Sequence, residues 1–304
     1  MKQTRLFLYL RALRVNQWIK NLIVFTAILF SGNLLVPDLF LNSLFAFVIF
    51  CLLSSTSYLL NDIIDYKYDK KHPIKRNRPI AAGKISLPQA TFLVFVLTVV
   101  SLLISILFSI SLFVIAFIFI LLHFLYSLFL KRYPIIDIFT ISFSFLIRAA
   151  AGEVVSGFHI PIWLLLTIFF ISLFMATVKR HAELVRRGKE TRLSLLNYND
   201  HLLMFLTNTF ATATILAYSL YTYLEQPPLI ETPLSMFYPR FGFEGRKWLM
   251  VTIPFVVYGI ARYAQLLYQR DEGERPEKII TTDKPLVISM ALWALITISL
   301  IYLF

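Results

Sequence analysis

The chain has 304 residues, of which 58% are hydrophobic and 15% are charged, and its formal net charge is +12. An ordinary soluble domain is about half apolar and about a quarter charged, so this composition excludes a soluble enzyme, a disordered chain and a protein that binds nucleic acid. The single cysteine, Cys51, excludes a disulfide framework and a cysteine-ligated metal site. The sequence therefore predicts an all-α integral membrane protein.

Long uncharged runs set the predicted architecture. The 46 residues between Lys84 and Lys131 carry no formal charge. As one helix they would extend roughly 70 Å, whereas the hydrocarbon core of a membrane is about 30 Å thick. We therefore expect this run to fold back near Ser109–Ser111. The same measure predicts nine transmembrane helices in a single domain, residues 1–304, with spans at 21–36, 39–60, 88–108, 111–130, 135–155, 161–178, 202–223, 248–268 and 285–304.

The basic residues are strongly segregated between the predicted loops. Of the 29 Lys and Arg residues, 24 lie in the N-terminal stretch or in the loops after the second, fourth, sixth and eighth spans. Loops rich in Lys and Arg stay in the cytoplasm, so the N-terminus is predicted to be cytoplasmic and the C-terminus to lie outside the inner membrane. Residues 1–19 mix basic with aromatic side chains, which predicts an amphipathic helix lying in the bilayer interface.

Three aspartates follow the second span. Asp62, Asp65 and Asp69 have the spacing i, i+3 and i+7, so a continuing helix places their carboxylates on one stripe. Anions at the C-terminus of a helix need a compensating cation, and Mg²⁺ accepts carboxylate oxygens together with substrate phosphates. The sequence therefore predicts a catalytic magnesium site with these three ligands, beside Asn61, which either donates to a phosphate oxygen or orients the aspartates. A solvated acidic turn paired with nearby lysines is the alternative.

A basic segment, residues 72–84, follows the aspartates. Two prolines and a glycine keep it out of regular helix and hold Lys75, Arg76 and Arg78 close to the carboxylates. Arginine can bind a phosphate with two parallel hydrogen bonds, whereas lysine acts as a point charge. Together with the aspartates, this segment predicts a clamp for phosphate or pyrophosphate.

The two motifs together resemble the first signature of the UbiA superfamily of intramembrane prenyltransferases. The resemblance covers Asn61-Asp62-x-x-Asp65-x-x-x-Asp69 and the stretch from Lys75 to Gly83. It implies a bundle of nine transmembrane helices with a cytoplasmic-side cavity in which Mg²⁺ binds a diphosphate. Members that prenylate aromatic acceptors carry a second Asp-rich motif after the sixth span. Here residues 179–187 are basic with one acid, an arrangement that suits a site for two phosphorylated substrates.

Other segments resemble the branch of this superfamily that transfers phosphoribose to a polyprenyl phosphate. These segments are residues 14–21, 126–131, 145–152 and 179–184. The resemblance implies that phosphoribosyl pyrophosphate and a bilayer-embedded polyprenyl phosphate are the substrates, that pyrophosphate is released, and that the product feeds arabinose donors for the cell wall. The residues expected to bind the two substrates are Lys20, Asn61, Lys75, Arg76, Arg78, Tyr126, Lys131, Lys179, Arg180 and Glu183.

Two other functional classes stay open at this point. A prenyltransferase acting on an aromatic or quinone-precursor acceptor would be favoured by a second acidic motif, which the sequence lacks. A transporter or lipid flippase would show spans broken by Gly and Pro near the midplane, whereas this charge cluster lies at helix ends. The sequence is compatible with a homo-oligomer.

Several charged or polar residues have no assigned role. His123 is expected to be a hydrogen-bond partner between helices. Arg148 and Glu153, inside the fifth span, either pair with neighbouring helices or serve function, because charges inside a membrane are costly. Asp137 either reaches the site or caps its helix, and the acidic segment 271–277 is expected to be a solvated connection.

Overall fold

The structure is a computed structural model that describes residues 5–72, 75–187, 198–225, 245–270 and 282–303. All regular elements within these ranges are helical, and no strand occurs in them. The predicted all-α fold is confirmed. The acidic segment 271–277 and the basic loop residues beyond 187 lie outside the described residues.

The chain begins with α1 (Arg5–Leu13), which a single residue separates from a 3₁₀ segment, Val15–Phe25, that continues into α2 (Thr26–Phe30). The following helices are α3 (Pro37–Ile64), α4 (Tyr66–Lys71), α5 (Leu87–Phe108), α6 (Ile110–Leu128), α7 (Ile136–Ser156), α8 (Ile162–Arg187), α9 (Asp200–Leu224), α10 (Ile253–Arg270) and α11 (Lys284–Tyr302). Short 3₁₀ turns occur at Lys75–Asn77 and Leu130–Arg132, and a longer one, Gly245–Thr252, precedes α10.

Eight helices among the described residues are long and apolar enough to cross a membrane. Their bounds are Pro37–Ile64, Leu87–Phe108, Ile110–Leu128, Ile136–Ser156, Ile162–Val185, Asp200–Leu224, Trp248–Leu266 and Lys284–Tyr302. They correspond one to one with the last eight predicted spans. The expected fold-back is confirmed at Ser109, where the backbone is extended and the hydroxyl accepts a hydrogen bond from the Leu112 amide.

The first predicted span, 21–36, is misplaced. The apolar helical stretch in this region is Val15–Phe30, which is shorter than the other eight. It ends before Gly32, whose positive φ and following turn redirect the chain toward Pro37 at the start of α3. The sequence did not indicate this helix end, because the turn residues are flanked by apolar side chains. Nine membrane-crossing helices therefore remain a prediction.

The 3₁₀ segment lies unusually close to α7. Gly152 permits this approach, because a Cβ at this position would collide with the backbone carbonyl oxygen of Val24. Tyr302 holds the far end of the same stretch, where its hydroxyl donates to the carbonyls of Ile28 and Leu29. The C-terminal end of α11 therefore lies beside the end of α2, while the other end of the 3₁₀ segment adjoins Arg14 and the aspartates.

Large apolar side chains are exposed along α5 and α6, as expected of surfaces that face lipid. Helix α1 exposes Leu6, Phe7 and Leu10 and buries Ala12 against Leu59. The position of this helix in the bilayer interface stays a prediction. The protein is an integral multi-pass membrane protein, and the cytoplasmic placement of its N-terminus is a prediction.

Candidate active site

A cavity of about 1740 Å³ lies among the helices and brings together most of the predicted site. The predicted residues that line it are Lys20, Asn61, Asp65, Asp69, Lys75, Arg78, Tyr126, Lys131, Lys179, Arg180 and Glu183. Two others do not line it. Asp62 is buried behind its hydrogen-bond partners, and Arg76 is exposed on the turn Lys75–Asn77 outside the cavity.

The predicted continuous helix through the aspartates is wrong. Helix α3 ends at Ile64, Asp65 has φ −85° and ψ 2°, and α4 starts at Tyr66. The break divides the three aspartates, defined here as the aspartate group, between two sets of partners instead of one stripe. Mutual repulsion of three aligned carboxylates at a helix C-terminus gives a physical reason for the break.

Asp62 and Asp69 share one guanidinium. Arg78 donates through Nη1 to Asp62 Oδ1 at 3.0 Å and to Asp69 Oδ2 at 2.6 Å. Asp62 Oδ1 also accepts from Arg14 Nη2 at 2.6 Å. Both carboxylates are almost fully buried, whereas the Arg78 side chain is 25% exposed. Burial raises the pKa of Asp69 above its ordinary value, although the charges of Arg78 and Lys75 act against the shift.

Asp65 belongs to a second set of contacts. Lys131, at the turn after α6, donates to Asp65 Oδ1 at 2.6 Å and to Asn61 Oδ1 at 3.1 Å. Asn61 in turn donates to Asp65 Oδ2 at 3.1 Å. The structure therefore joins residues of the first motif to a lysine from another loop, and all three line the cavity.

The donor set fits a hard divalent cation. Asp62 and Asp69 each place a carboxylate oxygen against the same guanidinium nitrogen, which shows that the two oxygens converge on a single cationic position. Mg²⁺ prefers such oxygen ligands. In the described ranges, no three His, Cys, Asp or Glu side chains are arranged to hold a metal ion by themselves. A metal here would therefore take ligands from elsewhere, and substrate phosphates are the chemically suitable source.

A second set of charged and polar residues, the Arg180 group, consists of Tyr126, Asp137, Arg180, Glu183 and Tyr198. Arg180 donates to Asp137 Oδ2 at 2.7 Å, to Glu183 Oε2 at 3.0 Å and to the Tyr126 hydroxyl at 3.3 Å. Its side chain is only 1% exposed, and that of Asp137 is 0% exposed. The guanidinium is thus held in one orientation, with one edge among the residues that line the cavity.

Tyr198 completes the Arg180 group from a distant part of the chain. Its hydroxyl donates to Asp137 Oδ1 at 2.9 Å and accepts from the backbone N–H of Ile135 at 2.6 Å. Burial, and then the charge of Asp137, raises the pKa of Tyr198, so the hydroxyl keeps the proton that it donates. Ile135 has a positive φ of 67°, and this hydrogen bond helps to hold the unfavourable backbone conformation.

Sequence reasoning missed two residues of the candidate site, Arg14 and Tyr198, and left a third, Asp137, open. Arg14 was included with the interfacial stretch, although its place in the segment 14–21 was a signal. Asp137 had two equal interpretations, and its carboxylate reaches the site through Arg180. Tyr198 belongs to none of the sequence motifs, and only the packing of the chain brings it to Asp137.

The structure also shows the contacts of His123, Glu153 and Arg148, three polar residues inside the predicted spans. His123 Nε2 is buried without a hydrogen-bond partner in the described part of the chain, so the expected bond between helices is wrong for this atom. Glu153 accepts from the Ile160 amide at 2.5 Å, which ties the end of α7 to the next connection. Arg148 binds neutral oxygens on neighbouring segments.

The amino-acid sequence matches the profile of the UbiA prenyltransferase family over residues 21–296. It is 36% identical over 292 residues to the decaprenyl-phosphate phosphoribosyltransferase of Mycolicibacterium smegmatis, covering 93% of this chain and 89% of that protein. The protein of the same name from Corynebacterium glutamicum is 33% identical over 302 residues, covering 97% and 86% of the two chains. A solved UbiA homologue from Archaeoglobus fulgidus, bound to GPP and Mg²⁺, has the same fold, with a TM-score of 0.66 over 97% of this chain and 99% of that one at 15% identity.

Proposed function

Since this chain belongs to the UbiA prenyltransferase family, we propose that it transfers 5-phosphoribose from phosphoribosyl pyrophosphate to a polyprenyl phosphate and releases pyrophosphate. The observation that carries the proposal is that two residues of the aspartate group, Asp65 and Asp69, line the same cavity as the basic residues Lys179 and Arg180. Two phosphorylated substrates need basic residues at separate places, and Arg78 and Lys131 beside the aspartates and Lys179 and Arg180 on α8 all line this cavity. The product would supply arabinose donors for the cell wall.

The reaction requires little acid–base chemistry. An oxygen of the lipid phosphate bonds to C1 of the ribose as the bond between C1 and the pyrophosphate oxygen breaks, and pyrophosphate leaves with the electron pair. The attacking phosphate is already anionic, so no general base is needed. The main task of the protein is to position both substrates and to stabilise the negative charge of the leaving group.

We assign pyrophosphate to the aspartate group. Asp62 and Asp69, with Asp65 beside them, would hold Mg²⁺, which supplies positive charge to the departing pyrophosphate. The Arg78 side chain is partly exposed and bonded to both carboxylates, so it can exchange a carboxylate oxygen for a phosphate oxygen without unfolding its surroundings. Lys131 and Asn61 border the same region.

We assign the 5-phosphate of phosphoribosyl pyrophosphate to Lys179 and Arg180, which line the same cavity. Arg180 is fixed by two carboxylates before substrate arrives, and such preorganised charge stabilises a transition state without further reorganisation. Apolar residues from α8, α10 and α11 line the rest of the cavity, including Leu164, Ile260 and Met290. This apolar part suits the isoprenoid tail of the lipid substrate.

The rival activity is transfer of a polyprenyl group from its diphosphate to an aromatic acceptor. It would need a second acidic set to hold a diphosphate-bound metal. Helix α8 continues to Arg187, so the residues predicted to form the loop after the sixth span are helical. The acid among them, Glu183, accepts a hydrogen bond from Arg180 at 3.0 Å. This observation favours phosphoribosyl transfer over the rival.

The experiment is an assay with purified protein, labelled phosphoribosyl pyrophosphate and a short polyprenyl phosphate. We expect label in the organic extract together with an equal amount of released pyrophosphate. A parallel reaction with polyprenyl diphosphate and 4-hydroxybenzoate tests the rival. Prenylated aromatic product without lipid-linked phosphoribose would overturn the proposal.

A further inference from the structure

Arg148 lies in the middle of α7, far along the helix from the charged turn after α6. Its side chain is almost completely buried, since the whole residue is 4% exposed. It nevertheless contributes to the lining of the main cavity. A permanent positive charge at the wall of a cavity inside a membrane protein is costly and calls for an explanation.

The partners of Arg148 are neutral. Nε donates to Asn21 Oδ1 at 2.7 Å, and Nη1 donates to the carbonyl and hydroxyl oxygens of Ser144 at 2.8 and 2.9 Å. Nη2 has only a long contact of 3.4 Å with the Ser54 hydroxyl. Within the described ranges, no carboxylate lies within ion-pair distance of Arg148. Arg180, the other arginine buried in the cavity wall, contacts two carboxylates.

A buried group that lacks a hydrogen-bond partner lines the same cavity. His123 Nε2 is buried and has no hydrogen-bond partner among the described residues. Its ring lies 4.5 Å from that of Phe119, and the Arg148 guanidinium lies 4.7 Å from the centre of the same Phe119 ring. A cation without a counter-ion and an imidazole nitrogen without a partner therefore adjoin one aromatic side chain.

The position of Arg148 indicates which kind of anion would bind. Ser54 lies eight residues before Asp62 on α3, a distance of about 12 Å along the helix. At this depth Phe145, Leu164 and Ile168 contribute apolar surface to the cavity. The bond to Ser144, one turn earlier on α7, places Nη1 on the side of Arg148 that leads to the start of this helix and to Asp137. An anion that binds here would have its charge at the guanidinium and an apolar part beside the neighbouring apolar side chains.

We propose that Arg148 binds the phosphate of the polyprenyl phosphate, with His123 Nε2 as a further donor. This inference rests on the proposed function for the identity of the lipid. The ionised phosphate would supply the counter-ion that Arg148 lacks, and would replace the long contact between Nη2 and Ser54. The isoprenoid tail would lie against the apolar surface, and the phosphate would be held for attack on a ribose bound nearer the aspartates.

The direct test compares the binding of farnesyl phosphate with that of farnesol, which has the same tail and no phosphate. The full chain in detergent is titrated with each compound, and the ratio of the two dissociation constants isolates the phosphate contribution. We expect Arg148→Gln to lower this preference for phosphate at least tenfold and His123→Phe to lower it by a smaller factor. Arg262→Gln is the matched control, because Arg262 is bonded to both oxygens of Asp283 outside the cavity lining.

Arg148→Lys keeps the charge but loses the planar donor set, so it tests the proposal should Arg148→Gln fail to fold. A phosphate preference reduced in Arg148→Lys supports the proposal, whereas a reduced melting temperature with an unchanged preference shows a purely structural role and overturns it. An unchanged preference in Arg148→Gln overturns it as well.

Kinetics separate the two substrates. We expect Arg148→Gln to raise the KM for polyprenyl phosphate and to leave the KM for phosphoribosyl pyrophosphate unchanged. A rise confined to the KM for phosphoribosyl pyrophosphate would overturn the assignment. If the wild-type protein transfers no phosphoribose but loses its preference for farnesyl phosphate on mutation of Arg148, the proposed function fails and this inference stands.

Discussion

The aspartate group and the Arg180 group both place opposite charges in contact, but they do so in different ways. Arg78, which joins Asp62 to Asp69, has a side chain that is 25% exposed, whereas Arg180 and Asp137 are buried to 1% and 0% exposure. The contacts of Arg78 join residues close in sequence, whereas the Arg180 group as a whole joins residues from four separate segments. A partly exposed contact can exchange partners, whereas breaking a buried ion pair leaves an uncompensated charge.

This difference suits the two proposed roles. Binding of a metal ion and pyrophosphate must displace protein contacts in the aspartate group, so those contacts need to be replaceable. In the Arg180 group, two carboxylates and the Tyr126 hydroxyl surround one guanidinium, and Tyr198 holds Asp137 in place. These contacts fix the direction of the guanidinium before substrate binds. We therefore expect mutations in the first group to abolish chemistry with little loss of stability, and mutations in the second to affect both.

The largest effect is expected at the aspartate group. Asp62→Asn or Asp69→Asn should lower kcat by about a hundredfold or more, because each removes a proposed metal ligand. The melting temperature in detergent should change little, since the amide is the same size and the neighbouring arginines reach the cavity. Asp38→Asn, at the exposed start of α3, is the matched control and should keep full activity. Normal rates in both site variants would contradict the metal assignment.

Removal of the divalent ion tests the same group without mutation. Excess chelator should stop product formation, and added Mg²⁺ should restore it. Restoration in wild type but not in Asp69→Asn would connect the metal to this carboxylate. Full activity in excess chelator would remove the ion from the reaction.

Lys179→Gln and Arg180→Gln should separate binding from stability. Each removes a charge-assisted contact worth about 1.5–3 kcal/mol, so kcat/KM for one phosphorylated substrate should fall about ten- to a hundredfold. Arg180→Gln should also lower the free energy of unfolding by about 3–5 kcal/mol, because Asp137 stays buried without its cation. Thermal unfolding and steady-state kinetics on the same samples provide the measurement. Unchanged kinetics in both variants would show that neither charge contributes to the reaction.

A smaller contrast tests whether position in the cavity matters more than membership of the motif. Lys131→Gln should lower kcat/KM about tenfold, because Lys131 lines the cavity and holds Asp65 and Asn61. Arg76→Gln should change it less than about twofold, because Arg76 is exposed outside the cavity and exposed charges contribute little. The opposite order would show that the basic loop closes over the substrate.

The smallest expected effect is at Tyr198. Tyr198→Phe removes the bond to Asp137 and leaves the Ile135 amide without its hydroxyl partner, which should cost about 1–3 kcal/mol of stability. The KM values should change little, because Asp137 keeps its contact with Arg180. A large loss of kcat without a change in stability would instead place Tyr198 in contact with substrate.

The sequence by itself determined the helical membrane fold, eight of the spans and the location of the aspartates. These features depend on local quantities, namely the length of an apolar run and the spacing of side chains along one segment. It failed at the first span, where Gly32 ends an apolar stretch early, and at Asp65, where the helix breaks.

Only the tertiary structure decided which charges meet. Arg14 reaches Asp62 across 48 positions, Asp137 reaches Arg180 across 43, and Tyr198 reaches Asp137 across 61. Arg148 likewise bonds to neutral groups on α3 and on the 3₁₀ segment, and the sequence of α7 does not predict these partners. Such contacts depend on how the helices pack, because packing decides which polar groups lie near each buried charge. The spacing of two residues along the sequence does not indicate the distance between their side chains in the fold.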